Sequence, residues 1–234
     1  MASKIVLVIG AGQNIGRSIA THFSGKEYKV AVVSRNPTKE IFNSANLLIR
    51  ADLSDLSVMP SIFSEVKAKL GVPNVVVYNG TYQAAYVTLN KPDPFSIPVD
   101  EWASSLNVNA ISAYAAVQQA LAGFKELPTE VPKTFIYTGN CGTHTAIPHL
   151  MNLMVGKRVA AHMIECAVKT YEKDGFRFYF ADQRHEDASP MYTGLDGQAH
   201  AENYLELAEK AEQGPWEHTF VKGKGYVDFE GRTG

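Results

Sequence analysis

The stretch KIVLVIGAGQNIGRSIATHFS (4–24) constrains this chain more than any other. Its first residues are a continuous apolar, β-branched run, the pattern of a strand buried on both faces of a parallel sheet. Glycines follow at once at 10, 12 and 16, and Ile15, Ile19 and Phe23 then recur at helical spacing. A strand that turns through glycines into a helix brings backbone N–H groups and the positive end of the helix dipole to one place. Such a turn suits a pyrophosphate, because glycine lets the backbone approach the oxygens closely. The spacing predicts dinucleotide binding around Gly10, Gly12, Asn14, Ile15 and Gly16.

The alternation continues along the chain. YKVAVVSR (28–35), NLLIRADL (46–53), NVVVYNG (74–80), KTFIYTG (133–139) and FRFYFAD (176–182) read as strands, and HTFVKGKGYVDF as a closing strand. Between them lie helical patterns: VMPSIFSEVKAKLG ending at Gly71, the acid-led DEWASSLNVNAISAYAAVQQALAGF, LMNLMVGKRVAAHMIECAVKTYEKDG, and ENYLELAEKAEQ. No repeat or linker interrupts them. The expected architecture is α/β: one doubly wound parallel sheet in three α/β/α layers, with residues 1–234 as a single domain.

Composition narrows the function classes. Hydrophobic residues make up 45% and charged residues 20%, as in ordinary globular domains. A net charge of −2 with dispersed lysines argues against a nucleic-acid partner. Two cysteines, Cys141 and Cys166, do not make a disulfide framework and read as reduced thiols. The N-terminus lacks a signal peptide's charged and cleavage regions, and no apolar run approaches the roughly 18 residues of a membrane span. A cytoplasmic protein with no membrane partner is expected.

With these motifs in place, the chain resembles the short-chain dehydrogenase/reductase family over nearly its whole length. Gly10 and Gly16 match the outer glycines of that family's Thr-Gly-x-x-x-Gly-x-Gly loop; Ile9 stands at the threonine and Asn14 at the middle glycine, with Gly12 added. Tyr78-Asn79-Gly80 corresponds to the family's Asn-Asn-Ala-Gly, one residue short. Asp52-Leu53 matches the pair beside the adenine, and Trp102…Val108-Asn109 matches the long-helix signature, so the resemblance assigns Asn109 to the catalytic asparagine. It also implies a Rossmann-type fold and pairing of the two long helices across a twofold axis, as a homodimer or homotetramer. Ala110, Ala113, Ala116 and Val117 on one helix, with Val159, Met163 and Ala167 on the other, are the apolar residues available for core or interface.

The end of the second strand bears on cofactor type. A carboxylate there would bind the adenosine ribose diol and repel a 2′-phosphate; this chain has Ser34-Arg35-Asn36. Arg35 is a planar bidentate donor for a 2′-phosphate, with Arg17 adding positive charge nearby, so NADP(H) is expected.

The chemical centre departs from the family. Its Asn, Ser, Tyr, Lys tetrad carries Tyr-x-x-x-Lys on the helix after the fifth strand. Lys157 fits the lysine, which binds the nicotinamide ribose. Four residues before it stands Leu153, and the wider tyrosine spacing of the family's enoyl reductases falls on Leu150. Counting back from Gly142 puts the serine position at Gly139, preceded by Thr138. Asn109 and Lys157 therefore remain, without the usual proton donor and its partner. Among replacement acids, His149 shares a helix face with Lys157 and follows Pro148, which suits a first helical turn. His144, Thr143 and Thr138 are further candidates, Cys141 reads as a pocket wall, and Tyr82 and Tyr86 line either a pocket or a packed loop.

After the sixth strand the family has Pro-Gly beside the nicotinamide amide, whereas this chain has Asp182-Gln183-Arg184-His185-Glu186-Asp187, a polar substrate rim or a redirected loop. Adjacent loop residues such as His185, Glu186 and Asp187 rarely converge on one ion, so no metal is expected. The leading function is an atypical NADPH-dependent reductase of a small or medium organic carbonyl, imine or activated alkene. The alternatives are an NADP(H)-binding protein without redox turnover, as a sensor or inactive subunit, and a non-redox isomerase or cyclase.

Overall fold

A computed structural model describes residues 4–82 and 93–229. Eight strands form one sheet in the order β3-β2-β1-β4-β5-β6-β7-β8. β1 (Ile5–Ile9) lies at its centre between β2 (Lys29–Ser34) and β4 (Val75–Tyr78), parallel to both, and all five of its residues are buried. Burying each such aliphatic side chain is worth about 1.5–3 kcal/mol, so this strand reads as apolar on both faces. β3 (Leu47–Arg50), β5 (Lys133–Thr138), β6 (Phe176–Gln183) and β7 (Glu217–Val221) extend the parallel sheet, and β8 (Gly225–Tyr226) adds an antiparallel edge.

Helices cover both faces. Ile19 and Phe23 of α1 (Ile15–Ser24) and Tyr204, Leu205 and Leu207 of α6 (Gly197–Glu209) pack on one side. On the other, α2 (Val58–Lys69), α4 (Ser112–Phe124) and α5 (Met151–Tyr171) bury Ile62, Ala116, Phe124, Ala160 and Ile164. This is the three-layer Rossmann-type arrangement that the alternation of elements predicts.

Several boundaries differ from the sequence reading. The third strand ends at Arg50, which leaves Asp52 and Leu53 on the loop beyond it. The long helix is not continuous: α3 (Val99–Leu106) and α4 flank a π turn over Asn107–Ile111. A π turn frees carbonyls from the i→i+4 ladder, and here tyrosine hydroxyls engage two carbonyls of the turn. Tyr78 donates to Val108 O at 2.6 Å and Tyr137 to Asn109 O at 2.7 Å. α6 begins at Gly197 rather than at Glu202, capped by Asp196, whose carboxylate accepts from Ala199 N at 2.8 Å. The closing segment is a hairpin of β7 and β8, turned around Gly223 and Gly225, both with positive φ.

The helix residues set aside for core or interface divide. Ala110, Ala113, Ala116, Val117 and Ala167 are buried, Met163 is half-buried and Val159 is exposed; Ile111 of the π turn and Tyr114 of α4, not among those set aside, are exposed as well. No helix among the described residues is long and apolar enough to cross a membrane.

Candidate cofactor and active site

The glycine turn forms where β1 meets α1. Gly10 has φ of +81°, and a Cβ there would sit 2.5 Å from the Gly80 backbone, so position 10 must be glycine for the β1 and β4 ends to approach; a Cβ on Gly80 would instead meet the Leu53 and Tyr78 side chains. Asn79 locks that approach: its N donates to Ile9 O at 2.8 Å and its Nδ2 to Gly10 O at 2.9 Å. Gly16 packs on Ala11, where a Cβ would meet backbone at 2.5 Å. Around Gly12, in contrast, nothing lies within 4 Å of a built Cβ, and its backbone faces open space at the helix N-terminus.

That space is one end of a cleft of about 630 Å³ along the carboxyl ends of the strands. Gly10, Gly12, Ile15, Ser34, Arg35, Asp52, Leu53, Asn79, Gly80 and Lys157 all line it, whereas Asn14 and Gly16 do not. At the end next to β2, Arg35 lies close enough to Asp52 to favour its carboxylate, although hydrogen bonds from the Ser54 amide and hydroxyl lower that pKa most. The residues fit a dinucleotide phosphate: the open approach to Gly12 and the glycine contacts around it are what a pyrophosphate cradle requires.

The other end is built on an aromatic stack. Tyr78, Tyr137 and Phe180, one from each of β4, β5 and β6, lie nearly parallel, with ring centroids 5.5 and 5.6 Å apart. Lys157 Nζ sits 4.6 Å from the centroid of the Tyr137 ring and donates to Thr138 O at 2.8 Å. Burial brings its pKa down to about 7, against the pull of Asp182. Burial likewise raises the Asp182 carboxyl to about 6, while Arg184, whose Nε donates to it, and Lys157 favour the ionised form. Leu150, Leu153, Met154 and Cys141 complete an apolar wall.

Other candidates lie elsewhere. His149, on a 3₁₀ turn before α5, is exposed and is not among the described residues lining the cleft. This corrects the helical-face argument: α5 begins only at Met151, so the spacing of residues 149 and 157 does not carry one regular helix face. His144 and Thr143 turn to Glu217, each at 2.8 Å. Asn109 is buried behind the cleft against Gly156; its Nδ2 donates to Ser105 O at 2.9 Å, and its Oδ1 has no hydrogen-bond partner among the described residues. Arg17 is exposed outside the cleft, and Asn14 ties down a distant loop, its Nδ2 donating to Leu195 O at 2.8 Å. Tyr82 lines the cleft; Tyr86 lies outside the described residues.

Asp182 is the site residue that sequence reasoning undervalued. The polar run, which begins inside β6, is only half a rim: Asp182, Gln183 and Arg184 are buried, while His185, Glu186 and Asp187 face solvent. Gln183 accepts from Asp196 N at 2.8 Å and Arg184 donates to Ala188 O at 3.1 Å, folding the following loop so that Pro190, Met191, Tyr192 and Leu195 close one side of the cleft. The available signal was strand alternation, which places Phe180, Asp182 and Arg184 on one face of β6.

Comparison with known proteins agrees with this geometry. A model of the short chain dehydrogenase family matches residues 4–129. The short chain dehydrogenase/reductase dmxR12 of Cryptosporiopsis sp. (strain 8999) is 40% identical over 241 residues, spanning 100% of this chain and 98% of that relative. A metagenomic short-chain oxidoreductase solved in complex with NADP superposes with a TM-score of 0.79 at 15% identity, covering 93% of this chain and 96% of that one. An NADH-dependent reductase complexed with NAD gives 0.73 at 16% identity, over 90% and 93% of the two chains. A glycine-turned nucleotide cleft at the strand ends, the family match and full-length similarity to dmxR12 converge: the chain belongs to the short-chain dehydrogenase/reductase family of oxidoreductases.

Proposed function

We propose that the chain is an atypical NADPH-dependent reductase of a small or medium organic carbonyl, imine or activated alkene, working without the family's tyrosine and serine. The observation that carries this reading is the pairing of Leu153 with Lys157. Both line the cleft one helical turn apart on α5, so the lysine persists beside an apolar side chain where the resemblance calls for an acid. The serine position is closed in turn: a Cβ on Gly139 would lie 2.2 Å from the Phe180 ring.

Reduced nicotinamide, when bound, supplies a hydride. The chain's own residues do the rest. The turn from Gly10 to Gly16 holds the pyrophosphate and Lys157 the nicotinamide ribose, while Arg35 selects the 2′-phosphate. Leu150, Leu153 and Met154 exclude water from the acceptor and favour an apolar substrate body. Holding donor and acceptor together is worth roughly 7–11 kcal/mol, against about 10²–10⁴-fold for a positioned acid, so loss of one acid leaves most of the acceleration available. The same reading makes residues 1–234 one domain, cytoplasmic, and paired as a homodimer.

The test is to incubate the protein with NADPH and a panel of aldehydes, ketones, imines and enones while following cofactor absorbance. Consumption with one acceptor class supports the reading. Tight NADPH binding without consumption by any acceptor would transfer the case to the second reading, a cofactor-binding protein without turnover, which the apolar Leu153 also favours.

A further inference from the structure

We propose that Asp182 is the proton donor of this cleft, the group that protonates the substrate oxygen in place of a tyrosine. The inference rests on the reductase reading and names the acid that this reading leaves unassigned.

Geometry singles it out. Two described carboxylates line the cleft. Asp52 stands beyond β3, held by Ser54 at the end near Arg35. Asp182 stands at the opposite end, where Gly139 N donates to Ala181 O at 2.7 Å and Lys157 reaches Thr138. Alternation along β6 turns Asp182 to the same face as Phe180, which is the face carrying the aromatic stack and Lys157. The other proton-bearing groups at this end fit less well. The Thr138 hydroxyl accepts from Tyr204 at 3.0 Å and is a weak acid, and burial raises the Cys141 thiol. Tyr192 lines the cleft from the loop but is 59% exposed.

The environment suits a general acid, which works best when its pKa lies toward the operating pH rather than far below it. Burial favours the neutral carboxyl. The groups acting on it are Arg184 on its own strand, Lys157 from α5, Glu217 from β7, Cys141 from the loop after β5, and Tyr204 from α6. Arg184 Nε already donates to the carboxyl, and Arg184 is itself 2% exposed with Nη2 unpaired among the described residues. It stabilises the carboxylate as it forms. A reduced nicotinamide, when bound, would supply the hydride for the new C–H bond on the acceptor carbon and would be oxidised by two electrons in doing so. The C=O π pair takes the Asp182 proton to form O–H, and the carboxylate left behind regains a proton from water.

The experiment uses the whole protein. Asp182→Asn keeps volume and a carbonyl for Arg184 but has no proton to give, so kcat with a reducible aldehyde or ketone should fall about 10²–10⁴-fold. NADPH affinity should stay within about threefold, because the loss belongs to the transition state alone. A second readout needs no turnover: exposed carboxyls titrate near about pH 4, so infrared difference spectra of wild type with NADP⁺ should show a carboxylic-acid band persisting above that and fading near about 6. The band should be missing from Asp182→Asn. Turnover unaffected by Asp182→Asn overturns the assignment and leaves the reductase reading standing. Absence of the band from wild type overturns it as well, even if the variant does not fold. A wild type that consumes NADPH with no acceptor overturns the reductase reading itself, and the acid with it.

Discussion

A Cβ placed on Gly139 would lie 2.2 Å from Cε1 of Phe180, so the aromatic ring occupies the space that any side chain at position 139 requires. Gly139→Ser therefore overpacks a finished wall and should cost about 1–3 kcal/mol. Phe180→Leu should cost something of its own by thinning the stack with Tyr137. The two together should cost less than their sum, because Leu leaves room for the serine. Chemical denaturation of the four proteins measures the coupling; strict additivity would show that the ring moves freely.

Arg35 should set cofactor preference. A charge-assisted hydrogen bond to a 2′-phosphate contributes about 1.5–3 kcal/mol, so NADPH should bind about tenfold or more tightly than NADH. Arg35→Ala should erase most of that ratio with little effect on NADH. Calorimetry with both cofactors decides it, and an unchanged ratio would move the selection to other residues.

Lys157→Met should weaken NADPH binding about tenfold or more through loss of a charge-assisted contact, yet stabilise the protein without cofactor. In the folded chain burial holds the Lys157 pKa near about 7, against 10.5 ordinarily. Between those values the unfolded lysine is charged and the folded one neutral, so its cost to stability is full below about pH 7 and fades as pH rises toward 10.5. The stabilisation by methionine should be largest at pH 6 to 7 and shrink toward pH 10. Thermal melts across that range check the sign.

Acid should loosen the face that carries α6. Burial lowers His200 and His218 to about 4 from 6.5, with a hydrogen bond to Asp196 O opposing the shift at His200. Their contribution to stability is present above about 6.5 and lost as pH falls toward 4. Asp182, with its raised pKa, works in the opposite direction over part of this range. The two histidines should prevail, giving a melting temperature that drops from pH 6.5 to 4.5. Imidazole proton resonances that stay neutral at pH 5.5 would assign the effect to them.

Assembly should follow the exposed apolar residues rather than the buried alanines. Ile111 of the π turn is 40% exposed, Tyr114 of α4 54% and Val159 of α5 48%. A homodimer through this face predicts that Tyr114→Glu with Val159→Glu yields a folded monomer at micromolar concentration. Sedimentation of wild type as a monomer would remove the idea.

The sequence by itself determined the architecture and the cofactor cleft. Uninterrupted runs such as IVLVI and VVVY can be satisfied only by burial on both faces, and the glycines after β1 mark the turn where a strand gives way to a helix N-terminus. Those are local constraints, so Gly10, Gly12, Arg35, Asn79, Gly80 and Lys157 were legible at their places in the cleft. The resemblance also assigned Asn109, but only the fold shows that it stands behind Gly156 rather than in the cleft wall.

What only the tertiary structure decided depends on side chains far apart in sequence. Position 139 is closed by a ring from another strand. His149 is misjudged from spacing because α5 begins two residues later, at Met151. The split of the long helix at Asn107–Ile111 is accompanied by hydroxyl contacts from Tyr78 and Tyr137, two tyrosines on separate strands. Asp182 reads as one polar residue among six until β6 continues through it and buries it with Arg184 and Lys157. Strand pairing sets how far a strand runs, and burial then decides which carboxyl keeps its proton; neither is a property of neighbouring residues in the chain.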